Sequence, residues 1–162
     1  MIAGNTRIYG VKLVDKLESK DYSLAATVRD LYDTLSSEGD NVEIYLKSNG
    51  GVTMSDSITK VKSINKVESD NVTLYKITSI VGGLNEEMTG NDTSLYCTED
   101  TRIKINGVVT EVSLLGLSRE YEISKLEMDR IDLYEIKLSS FDNGSNIIRT
   151  NVDINGLSVM LI

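Results

Sequence analysis

The chain of 162 residues has the length of one domain, and 40% hydrophobic with 26% charged residues is a globular composition, which excludes disordered and fibrous classes. A formal net charge of −8 repels a phosphate backbone, so no nucleic-acid partner is expected. There is no His, no Pro and one Cys, Cys97. The commonest general base, any internal disulfide and the usual zinc sites are therefore missing, and neither a metal nor another cofactor is expected.

The first twenty residues carry charges throughout and lack the apolar core of a secretion signal. No run of about 18 apolar residues is present to span a bilayer, so no membrane is expected. Helical spacing first shows at Leu24–Tyr32, where Leu24, Val28, Leu31 and Tyr32 share one face and Ser23 is the expected N-cap. Asn41–Lys47 alternates as a strand does, and Ser48-Asn49-Gly50-Gly51 follows as a turn. Ile58–Val67 and Val72–Ile77 alternate again, with Gly82-Gly83 and Thr89-Gly90-Asn91-Asp92 as punctuation. Ser94–Cys97 and Arg102–Ile105 are short strands. Asn106-Gly107 then gives the strongest hairpin signal, because both residues tolerate positive φ, and Val108–Val112 is the return strand. Ser118–Met128 has looser helical spacing through Tyr121, Ile123, Leu126 and Met128, and Ile131–Leu138 and Asn146–Ile162 return to strand. The expectation is one mainly β domain over residues 1–162 with one or two short helices.

Isolated chemical signals are weak. Lys60, Lys62 and Lys66 alternate with apolar residues and read as a solvated strand face. Cys97 has no His to activate it and reads as a buried structural thiol. Asp142-Asn143-Gly144-Ser145-Asn146 is oxygen-rich but lacks the closing Glu of a calcium loop, so it reads as a surface turn. Glu86-Glu87 and Glu99-Asp100 are adjacent in sequence and point apart on a strand, which makes them poor acid–base pairs. Gly50-Gly51 and Gly82-Gly83 lack the Lys-Ser/Thr and helix start of a phosphate loop.

Four stretches in order carry a resemblance. Met1-Ile2-Ala3-Gly4-Asn5-Thr6-Arg7-Ile8 is similar to an opening block of Cys, aliphatic, any residue, Gly, Asp or Asn, Thr. Thr27-Val28-Arg29-Asp30-Leu31 is similar to a "VPIREL" element. Leu95-Tyr96-Cys97-Thr98-Glu99-Asp100-Thr101-Arg102-Ile103 with Asn106-Gly107 is similar to a T-x-x-H block and its "DGW" hairpin. Leu133-Tyr134-Glu135-Ile136-Lys137-Leu138 and Val152–Leu161 are similar to "VYDLxV" and "FxxNGxxVHN". Together these blocks resemble those of inteins and other Hint domains, at the length of a mini-intein without an inserted endonuclease.

The resemblance implies a Hint-like β horseshoe whose two termini meet at its centre. In that family a thiol or hydroxyl at the first position attacks the preceding carbonyl, the block His polarises that amide, and a terminal Asn preceded by His cyclises. Here Met1 stands at the nucleophile position, where a thioether has no proton to lose, and if it is the true start there is no upstream bond to attack. Thr98 matches the block Thr, Thr101 falls on the His, Glu135 on the Asp, Met160 on the penultimate His, Leu161 on the Asn and Ile162 on the following nucleophile. None of these positions is expected to be catalytically active. The expectation is a degenerate, non-splicing domain kept as a structural or interaction module, with a protein partner or larger assembly and a cytoplasmic or virion-associated location. The Asn-, Ser-, Ile- and Lys-rich, Pro-free composition suits an AT-rich genome such as that of a bacteriophage or a low-GC bacterium. An unrelated β-rich phage virion or tail protein, and an intein inactivated by engineering, are the alternatives.

Overall fold

The computed structural model describes residues 1–48, 58–80, 83–116, 118–139 and 151–161. The turn at Asn49-Gly50-Gly51, Gly82 and the oxygen-rich stretch 142–146 lie outside them, as does Ile162. The elements run β1 (Ile2–Ala3), β2 (Arg7–Asp15), β3 (Lys20–Thr27), α1 (Val28–Glu38), β4 (Val42–Lys47), β5 (Ile58–Ser79), α2 (Glu86–Thr89), β6 (Leu95–Thr98), β7 (Arg102–Ile105), β8 (Val108–Glu111), β9 (Tyr121–Leu138), β10 (Asn151–Ile154) and β11 (Leu157–Met160). The protein is mainly β, as its alternation predicts. No helix among the described residues is long and apolar enough to cross a membrane.

One sheet has the order β3-β2-β4-β5-β6-β1-β9, and β5 also pairs with β9, so the run β5-β6-β1-β9 closes on itself. The long strands β5 and β9 are antiparallel from Val61↔Leu138 to Ser79↔Tyr121. A second sheet has the order β10-β11-β7-β8 and touches the first through a bridge from Ser48 to Val152. Strand periodicity fills the core between them. On β4, Val42, Ile44 and Leu46 point inward while Glu43 and Tyr45 stay at the surface. Ile2, Ile8, Val11, Ile77, Leu95, Cys97, Ile103, Tyr134, Val152 and Val159 join Ile44 and Leu46 in one contiguous cluster. Of the lysines read as a solvated face, Lys60 pairs with Glu43 at 2.7 Å and Lys66 lies 5.8 Å above the Tyr32 ring.

Three expectations about local structure are corrected. The helix starts at Val28, not after Ser23: Thr27 is the N-cap, accepting from the Asp30 N–H while the Asp30 carboxylate accepts from the Thr27 N–H. Leu24 belongs to β3, opposite Val11, and only by coincidence lies four residues before the first helical position. Ser118–Met128 is not helical. Its ordered part is the start of β9, where Tyr121 and Ile123 pack on the main core but Met128 packs on a separate cluster around Leu74 and Leu133. The apolar side of the strand switches between Ile123 and Leu126, and that switch imitates helical spacing. The last segment is not one strand but the hairpin β10–β11, turned at Asn155-Gly156.

Candidate functional site

The site grows from the shortest strand. β1 lies between β6 and β9, with Ile2 opposite both Cys97 and Tyr134. The turn after it leaves no room for a side chain at Gly4, where a Cβ would stand 2.7 Å from the Tyr134 ring. Thr6 is buried, and its hydroxyl donates to the Tyr96 carbonyl at 3.2 Å and accepts from the Tyr96 N–H at 3.1 Å. The Gly4 and Thr6 carbonyls accept from the N–H groups of Arg29 and Val28 at 3.1 and 2.9 Å. The first two sequence blocks are thus one interlocked unit that fixes where the chain enters β1.

Met1 is held by the third block. The Thr98 N–H donates to the Met1 carbonyl at 2.9 Å. The Met1 nitrogen donates to the hydroxyl oxygens of Thr98 and Thr101 at 2.8 and 3.3 Å. The Thr98 hydroxyl in turn donates a hydrogen bond to an Asp100 oxygen at 2.5 Å. That bond, opposed by a smaller burial effect, holds the Asp100 carboxyl below its ordinary range. Thr101 is buried, and its hydroxyl also reaches the Met1 carbonyl at 3.3 Å. The Val112 N–H donates to the Thr101 carbonyl at 2.8 Å.

β11 arrives at the same place. Val159 and Met160 of β11 pair with Ile103 and Arg102 of β7, which carries Leu161 back to the centre. Met1, Thr101, Glu135, Met160 and Leu161 all line one cavity of about 540 Å³, with Ile2, Asp100, Arg102, Glu111, Tyr134 and Ile136 completing its wall. Five of the seven site positions read from the sequence therefore share a cavity, and Thr98 touches Met1 beside it. Ile162 lies outside the described residues.

Cys97 is adjacent in sequence but fully buried, and burial pushes its thiol up to about 12, against smaller opposing effects of Thr101 and the Met1 charge. It is a core side chain. Two contributors were missed at the sequence level. Asp100 was set aside as half of an unpromising pair, yet it terminates the hydroxyl relay. Asn155 entered only as one residue of the Val152–Leu161 block. Its φ of 54° is left-handed, but its side chain is buried, donates to the Arg7 and Thr93 carbonyls at 2.7 and 3.1 Å, and accepts from the Tyr9 N–H at 3.2 Å. It ties the last hairpin to the first long strand, and only the left-handed turn signal pointed at it.

Chemically, the arrangement can grip the backbone of Met1 by its nitrogen and carbonyl with two hydroxyls. A thioether at Met1 supplies no nucleophilic proton, and a threonine hydroxyl hydrogen-bonds without acting as a base near neutral pH. The sequence matches no family model and no curated protein. Among solved structures, a DnaB intein from Synechocystis sp. PCC 6803 matches with a TM-score of 0.51 at 15% identity, over 96% of this chain and 98% of that one. The transcription factor IIB Mvu mini-intein matches with a TM-score of 0.56 at 9% identity, over 99% of both chains. The fold is intein-like, of the Hint type, along nearly the whole chain.

Proposed function

We propose that this chain is an intein-fold domain that neither splices nor cleaves itself and serves as a structural or interaction module. The observation that carries the reading is the occupancy of the central cavity. The positions at which the chemistry would need a nucleophile, two imidazoles and a carboxamide hold Met1, Thr101, Met160 and Leu161. Leu161 is buried there, and an apolar side chain in such a place contributes burial in exchange for reactivity. The hydrogen bonds that the Met1 nitrogen donates to the Thr98 and Thr101 hydroxyls support the same reading, because they preserve the grip on the first residue without a group to attack from. Its partner is another protein or a larger assembly, and the composition favours a bacteriophage virion as the setting.

The test is a fusion of the unaltered chain between two reporter domains, followed by intact mass after incubation with and without a small thiol. A single unchanged precursor is expected. A ligated or released reporter would overturn the proposal.

A further inference from the structure

The cavity between the two chain ends has a chemistry of its own. Its volume of about 540 Å³ lies within the range of sites that enclose ligands or inserted side chains, roughly 300–1,000 Å³. The floor is apolar, built from Ile2, Ile136, Met160 and Leu161. Around it stand three carboxylates, Asp100, Glu111 and Glu135, against the guanidinium of Arg102 and the Met1 nitrogen, which is engaged by the Thr98 and Thr101 hydroxyls. Lys137 reaches Glu135 only at 3.9 Å, with both side chains more than two-fifths exposed, so water screens that pair and leaves the carboxylate available. A cation over an apolar floor is less screened than one on the open surface.

The strand pairing limits how anything could bind. β1 is flanked by β6 and β9, and β11 by β10 and β7, so neither of these two strands offers a free edge, whereas β8, which brings Glu111 to the cavity, is an edge of the second sheet among the described strands. Over the floor carried by β1 and β11 an occupant enters by its side chains. Met1 and Met160 supply flexible thioether walls that adapt to an inserted group. The net charge of −8 draws basic partners over longer distances.

Resting on the reading of the chain as a non-splicing interaction module, we propose that this cleft docks a segment of a protein partner that presents a lysine or arginine flanked by apolar side chains. The test uses the full chain labelled with ¹³C-methyl methionine and titrated with the blocked peptide acetyl-Ala-Leu-Lys-Leu-Ala-amide, then with its Glu-centred twin. The Met1 and Met160 methyl signals shift to saturation with the Lys peptide, while that of Met88, 67% exposed and not among the lining residues, stays in place. The Glu peptide binds at least about tenfold more weakly, and the double variant Glu111→Gln, Glu135→Gln weakens the Lys peptide roughly tenfold, the loss of two partly screened ion pairs. Unmoved Met1 and Met160 signals at millimolar peptide, equal response to both peptides, or an indifferent double variant each overturn the docking site. An unchanged precursor in the fusion experiment alongside silent methyls removes the docking site alone, whereas a ligated product removes the reading beneath it.

Discussion

Asn155 joins two parts of the sequence that no local pattern connects. Its three side-chain hydrogen bonds reach Arg7, Tyr9 and Thr93, and it sits in a left-handed turn that an alanine adopts only with strain. Asn155→Ala therefore leaves buried backbone groups without partners and is expected to cost roughly 3 kcal/mol, read from the urea midpoint of unfolding. Cys97 gives a different signature. Its folded thiol lies near 12 against an ordinary value of 9, so the unfolded chain releases that proton first as pH rises. The stabilisation is complete below about pH 9 and is lost progressively between the two values. Tyr96 acts in the same direction at higher pH, its hydroxyl raised by burial and by the hydrogen bond it donates to Asp92. The urea midpoint should fall above pH 9, and Cys97→Ala should lower the plateau but flatten the first part of that fall. A midpoint in the variant that declines as steeply from pH 9 contradicts the assignment.

At the scale of elements, the capping box sets the start of α1. Thr27→Ala removes its cap and should cost about 1 kcal/mol, whereas Thr27→Ser should cost little, as thermal unfolding of the three proteins would show. α1 matters to the site because Tyr32 stacks edge-on with Tyr134 at 5.3 Å, and Tyr134 lines the cavity. Elements that obey one rule over their whole length were legible in the sequence. β4 alternates cleanly, and Asn106-Gly107 makes the β7–β8 turn with φ values of 50° and 81°. Elements serving two environments were not. The first part of β9 exchanges one apolar cluster for another midway, and no single period describes that. The boundary between β3 and α1 was misplaced because an inward strand residue happened to keep helical phase with Val28.

Across the whole molecule, the ordered blocks pointed to the fold, and their spatial meeting explains why they are blocks. Gly4 and Thr6 lock onto Tyr96, Val28 and Arg29, which presents Met1 to Thr98 and Thr101, while Asn155 anchors the hairpin that delivers Leu161. The positions that meet at the cavity were legible because the sequence blocks keep their order along the chain. The carboxylate rim was not, since Asp100, Glu111 and Glu135 come from separate strands and turns and become neighbours only on folding. The central claim is that the scaffold still holds both junctions and that only the reacting groups are missing. It is tested most directly by restoring Met1→Cys, Thr101→His, Met160→His and Leu161→Asn together in the two-reporter fusion and comparing intact masses with the unaltered chain. The restored protein, with Ile162 unchanged and so no downstream acyl acceptor, is predicted to release a reporter on incubation with thiol while the unaltered chain stays whole. Products from the unaltered chain, or an inert but folded restored variant, would contradict it.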